Sequence, residues 1–246
     1  MTQIKLSPIN PVRTNIFNMN NLNISHYEVI RPEVEAPLAR HSIQSDTADV
    51  LAYIYEENIN LTTWQRTLSP ELISASQQLL ASDHTFRIST SVTPEEAFEA
   101  LYDILGANTA AKLISNDIAE IVEMFCCLFD LEQVGLRLTT LDKAMCPKFH
   151  VDRVVCRLIT TYSGIATEWL PHNVIDRSKL GMGSKGKSDA ESGIYRAASD
   201  IQQLNPGDVS LLKGESWIGN EGGGLVHRSP QVTNENKRLV MTLDFA

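Results

Sequence analysis

After Gln133 the chain breaks into short β-rich runs separated by turn residues: VGLRLTTL, KFHVDRVVCRLITTY, ATEWLP, GDVSLLKG, GLVHRSP and KRLVMTLDF. Each is rich in Val, Ile, Leu, Thr or aromatic residues and is bounded by Gly, Pro, Asn, Asp or Ser. No helix-length periodic segment separates them, so alternating βαβ units and a parallel sheet are excluded. Closely spaced strands of this kind fold as a sandwich or barrel.

The stretch from Ser45 to about Gln133 reads differently. SDTADVLAYIYEENI carries Val50, Leu51, Ile54 and Tyr55 at helical spacing. SPELISASQQLLAS opens with Ser69 at the N-cap and Pro70 at the first helical position, where a missing N–H does no harm. In TPEEAFEALYDILG, Thr93 caps, Glu96 completes a capping box and Gly106 ends the helix. NDIAEIVEMFCCLFDLEQ places Ile118, Ile121, Val122, Phe125, Cys126 and Phe129 on one stripe, making Cys126 a small hydrophobe. Cys127 faces elsewhere and does not bond to it. The expectation is an α+β fold in three parts. Residues 1–44 form an irregular arm with a short strand near HYEVIRP, 45–134 a helical support region, and 135–246 a β region on which the helical half packs.

Composition narrows the function. A net charge of −9 disfavours general affinity for nucleic acid or anionic membranes. The N-terminus lacks a basic and then apolar leader, and no run of eighteen apolar residues is present, so a cytoplasmic location is expected. Four cysteines, two of them adjacent, do not make a disulfide framework. GMGSKGKS, residues 181–188, satisfies the phosphate-loop pattern letter for letter. HNVIDRSKL before it is a poor strand, and the short strands and Gly-rich turns after it leave no room for further βα units. The segment therefore reads as a Gly/Ser/Lys connector.

On a strand, His150 and Asp152 of FHVD share a face and can bind one metal ion. Alone, such a pair is a weak signal. GLVHRSP supplies His227 on a second β-type run. Two histidines and a carboxylate are the donor set of non-haem Fe(II) oxygenases, with positions left open. Arg238 opens the last run and offers a guanidinium fork for a carboxylate. Arg228 alternates away from His227's face, so Arg238 is preferred as the anchor.

With these residues in hand, residues 146–246 resemble the Fe(II)/2-oxoglutarate-dependent oxygenase superfamily, whose fold is a double-stranded β-helix of the jelly-roll or cupin-like type. FHVD matches its H-x-D strand, LNPGDVSLLKG its Pro-Gly-Asp turn and strand, and LVHRSP followed by Arg238 its distal histidine and basic anchor. The resemblance implies a hydroxylase-type enzyme holding Fe(II) on His150, Asp152 and His227 and binding 2-oxoglutarate through Arg238. Tyr162 is implied as a further donor to the co-substrate. The GIATEWL, GDVSLLKGESWIGN and GLVHRSP blocks resemble more closely an uncharacterised bacterial domain family, often encoded beside zinc-responsive metallochaperone GTPases. That family carries over no activity.

A zinc-binding, non-catalytic protein of the same fold, linked to zinc homeostasis, is the competing expectation. Cys146 and Cys156 share strand parity with His150 and Asp152, and thiolate with imidazole favours Zn²⁺. Four strand residues cover roughly 13 Å, so neither cysteine reaches the ion along a straight strand. Pro147 can bend the chain and bring Cys146 in, which leaves Cys146 open as a ligand. His172 is read as a surface turn, Trp169 and Trp217 as core or pocket wall, and His26, His41 and His84 as without a site role. The expected partner is a small-molecule or protein side-chain substrate. The oligomeric state stays open, with a homodimer among the options.

Overall fold

The computed structural model describes residues 38–81, 86–232 and 236–246. The strand expected near HYEVIRP, and His26 and His84, lie outside them. Residues 38–246 form one compact unit. Its strands are β1 (His41–Ser45), β2 (Ile59–Trp64), β3 (Arg87–Val92), β4 (Val134–Leu141), β5 (Cys156–Ser163), β6 (Glu168–Leu170), β7 (Gln202–Gln203), β8 (Val209–Lys213), β9 (Val226–Arg228) and β10 (Arg238–Phe245). Its helices are α1 (Pro70–Ala81), α2 (Ala97–Tyr102), α3 (Thr109–Phe129) and the short α4 (Asp189–Ser192).

A seven-stranded mixed sheet runs in the order β1-β2-β8-β5-β10-β4-β3, and a three-stranded sheet in the order β7-β6-β9. The N-terminal half is therefore not purely helical. Three of its segments are strands of the large sheet, two of them at its edges. NINLTTW and RISTSV are rich in β-branched residues, whose stiff side chains suit a pleated surface. The periodicity at 48–55 belongs to a 3₁₀ helix that buries Val50, Leu51 and Ile54 but leaves Tyr55 exposed.

The expected caps form. Ser69 Oγ accepts from Leu72 N at 3.2 Å. Thr93 and Glu96 make the reciprocal capping box at 3.3 and 3.4 Å. Gly106 takes a positive φ of +97°, but four residues beyond Tyr102, where α2 already ends. α3 lays its stripe of Ile114, Ile118, Ile121, Val122, Phe125 and Cys126 against the large sheet. Each buried Ile or Phe of that stripe contributes about 1.5–3 kcal/mol.

Strand alternation sorts the large sheet into two faces. Leu136 and Leu138 of β4, Leu158 and Tyr162 of β5 and Leu239, Met241 and Leu243 of β10 join the helices in the main core. The alternating residues face the other way. Leu141, Ile159, Val240 and Leu212 pack with Leu225, Trp169 and Leu204 from the segments of the small sheet. The layers are thus helices, large sheet and small sheet. Next to this second core a cavity of about 320 Å³ opens.

Candidate metal centre

His150 is not part of a continuous strand, contrary to the reading of KFHVDRVVCRLITTY as one run. It makes a one-residue bridge with His227 of β9: each backbone N–H donates to the other's carbonyl at 3.0 Å. Residues that exchange both bonds sit about 5.5 Å apart at Cα with side chains on the same face. The imidazole centroids are 4.6 Å apart.

Asp152 lies in an irregular segment between this bridge and β5. The turn after β8 holds that segment: Glu215 N donates to Asp152 O at 3.0 Å, Ser216 N to Val154 O at 3.2 Å and Gly214 N to Val155 O at 2.9 Å. A Cβ at Gly214 would meet Val154 O at 2.0 Å, so this approach requires glycine. The result is one cluster in which donor atoms of His150, Asp152 and His227 all lie within 4.8 Å of one another.

The outer ring nitrogens settle which atoms face inward. His150 Nδ1 lies 2.9 Å from Lys148 O and His227 Nδ1 lies 3.2 Å from Leu225 O. A carbonyl only accepts, so both Nδ1 atoms carry the proton and both Nε2 atoms are left with lone pairs. Those Nε2 atoms lie 3.8 Å (His150) and 3.3 Å (His227) from the Asp152 oxygens. Two lone pairs and a carboxylate converge, and only a cation or a second ring proton can sit among them. Burial first, and then the neighbouring His227 ring, push His150 below the usual imidazole value, which favours the neutral ligand form. Burial alone would raise the Asp152 carboxyl, but His227, Arg157 and His150 hold it down to about 2.

Arg238 enters the same cavity from β10. It is 1% exposed. One terminal nitrogen donates to Ser229 Oγ at 2.8 Å, and the other to Thr161 and Thr167 Oγ1 at 3.3 Å each. Among the described residues its Nε has no partner, and no carboxylate pairs with it. Burial without an ion pair pulls its pKa down to about 10, against the pull of Glu168, leaving it charged at neutral pH. Arg228 differs: it pairs with Glu168 at 2.6 Å and Asp189 at 2.8 Å, and its guanidinium covers the Phe149 ring at 4.3 Å. Its charge is already matched.

Two expected residues stand elsewhere. Tyr162 is on the helix-facing side of β5, 2% exposed, and donates its hydroxyl to Asp117 Oδ2 at 2.5 Å. Asp117 in turn takes both terminal nitrogens of Arg66 at 2.7 and 2.8 Å. A whole sheet separates the Tyr162 side chain from the cavity, because Ile159 and Thr161 hold the opposite parity. Tyr162→Phe is expected to lower unfolding stability by about 1–3 kcal/mol, for the buried carboxylate left short of a donor, and to leave metal binding unchanged. Denaturant titration and metal titration of the variant check both halves.

Cys156 is fully buried on that same helix-facing side, its thiol pushed well up by burial. The bends at 153–155 reset the parity that would have aimed it at Asp152. Cys146 is exposed and lines the cavity, but its thiol is not in the cluster of converging donors. His172 sits in a 3₁₀ turn beside Arg177 and a separate, smaller cavity. Sequence reasoning missed Arg157, which donates to Asp152 Oδ2 at 2.6 Å and to both oxygens of Asp244. A charged residue five positions after Asp152, within an apolar strand, was the available signal.

The profile of a family described as protein of unknown function (DUF1826) matches residues 45–244. No curated protein matches at a significant level. Among solved structures, the chain aligns over 84% of its length, and 82% of the other chain, with a rice dioxygenase for auxin oxidation, at 12% identity and a TM-score of 0.44. It aligns over 80% of its length, and 96% of the other chain, with a Pseudomonas putida prolyl-4-hydroxylase, at 12% identity and a TM-score of 0.40. HygX from Streptomyces hygroscopicus, with nickel and 2-oxoglutarate bound, aligns over 80% of this chain and 85% of its own at 13% identity and a TM-score of 0.42. At such scores the likeness carries no argument about chemistry, which rests on the site itself.

Proposed function

The chain belongs to the DUF1826 family, from which no activity is inherited, and we propose that it is an Fe(II)- and 2-oxoglutarate-dependent oxygenase with a double-stranded β-helix around its site. The observation that carries this reading is the buried Arg238 guanidinium, without a carboxylate partner among the described residues, in the same cavity as His150 and His227. A site that only stored or sensed zinc has no use for an unpaired buried cation, which costs several kcal/mol unless an anion meets it.

The donor set fits the metal. His150 and His227 present neutral Nε2 atoms, and Asp152 adds one negative charge without filling the coordination sphere. Fe(II) held there supplies oxidative decarboxylation of 2-oxoglutarate by dioxygen, coupled to oxidation of a substrate C–H bond. Arg238 meets the far carboxylate of the co-substrate, and Ser229, Thr161 and Thr167 hold the guanidinium for it. Leu141, Ile159 and Val240 make an apolar wall of the cavity. The cavity's size suits the co-substrate with a small molecule or a single protein side chain beside it.

Cys146 stands outside the donor cluster, so the four-ligand closed zinc site finds no support. The experiment is reconstitution with Fe(II) under argon, then addition of 2-oxoglutarate and oxygen. Succinate is expected in proportion to oxygen consumed. Protein purified without chelators that holds stoichiometric zinc, together with no succinate from the Fe(II)-loaded form, overturns the proposal.

A further inference from the structure

Asp244 lies directly opposite Arg157 across β10 and β5. It takes Arg157 Nε at 2.7 Å on one oxygen and a terminal nitrogen at 2.9 Å on the other, a bidentate fork. Arg137 donates to the same carboxylate at 2.5 Å. The guanidinium is thereby fixed from behind by two strands. Its remaining terminal nitrogen meets Asp152 Oδ2 at 2.6 Å, and its placement does not depend on Asp152. The reverse does not hold. Asp152 sits on irregular backbone, and its side-chain neighbours are Arg157 and the two imidazoles.

We propose that Arg157 is a positioning residue for the metal ligand Asp152, holding its carboxylate against the two imidazoles. The inference rests on the proposed metal site. It differs from what the donor set alone requires in two respects. The carboxylate is held by a guanidinium bonded to Oδ2, the same oxygen that lies 3.3 Å from His227 Nε2. A fixed positive charge also stands one carboxylate away from the metal, drawing electron density from the ligand and disfavouring the higher oxidation state. Asp244 belongs to the device: its two oxygens set the angle of Arg157, and Arg137 steadies Asp244 in turn.

The test uses the full chain. Co(II) titration of the wild type and His150→Ala first establishes the site: tight binding by the former and not the latter is expected. Equal binding, or none by the wild type, removes the metal reading itself. With the site established, Arg157→Gln is expected to bind Co(II) roughly 10- to 100-fold more weakly, as loss of such outer partners typically does. The Fe(III)/Fe(II) potential of the Fe-loaded variant is expected to fall, because the nearby positive charge is gone. Arg157→Lys keeps the charge and is expected to hold the potential close to that of the wild type while recovering only part of the affinity. Loss of packing alone moves affinity in both variants and does not separate their potentials. A potential unchanged in Arg157→Gln, or lowered equally in Arg157→Lys, overturns the proposal whatever happens to affinity.

Discussion

His227→Ala is expected to weaken Co(II) binding by more than roughly 100-fold, because even the loss of groups that merely support a ligand costs 10- to 100-fold. The substitution is clean. His227 is tied to His150 through backbone N–H and C=O groups, which alanine retains. Its side-chain bond to Leu225 O is local, and its ring touches the cavity, not the main core. The fold should therefore survive, with a denaturation midpoint close to that of the metal-free wild type. Isothermal titration at neutral pH, where burial favours unprotonated His150 with or without the His227 ring, gives the comparison. A variant that binds within tenfold of wild type removes His227 from the ligand set and the proposed chemistry with it.

Much of the architecture was legible because periodicity reports burial. The stripe on α3 and the alternation in VGLRLTTL and RLVMTLDF are direct images of the faces those elements hide. INLTTW was not legible as a strand because it alternates nothing: all but its last residue is buried between neighbours on both sides. The site was legible in part, and for a reason the structure changes. His150 and Asp152 converge, but not by strand alternation. A single bridge orients the histidine, and the turn after β8 clasps the segment that carries the aspartate. The same irregularity defeats the parity argument for Cys156, since a bend of a few residues resets which face a strand presents. Arg157 was hidden because its role depends on Asp244, far along the chain, and on a register that no local pattern encodes.

Arg238→Met should move two measurements in opposite directions. Removing a guanidinium from a buried charge pair costs about 2–5 kcal/mol of binding, so the Fe(II)-loaded variant should bind 2-oxoglutarate at least about 30-fold more weakly. Burial lowers the Arg238 value to about 10, still far above neutrality, so binding by the wild type should hold across the neutral range. Without ligand, the buried guanidinium has, among the described residues, only hydroxyl partners and an unpartnered Nε. Methionine removes that desolvation penalty and packs against Val240 and Leu141, so the ligand-free variant should unfold at a higher temperature than the wild type. A structural arginine gives the reverse pattern, with stability falling and co-substrate affinity unmoved. Thermal unfolding of the metal-free proteins, beside 2-oxoglutarate titration of the loaded ones, separates the two. A cation kept at a cost to folding, in a cavity beside converging imidazole and carboxylate donors, is explained by the anion it waits for.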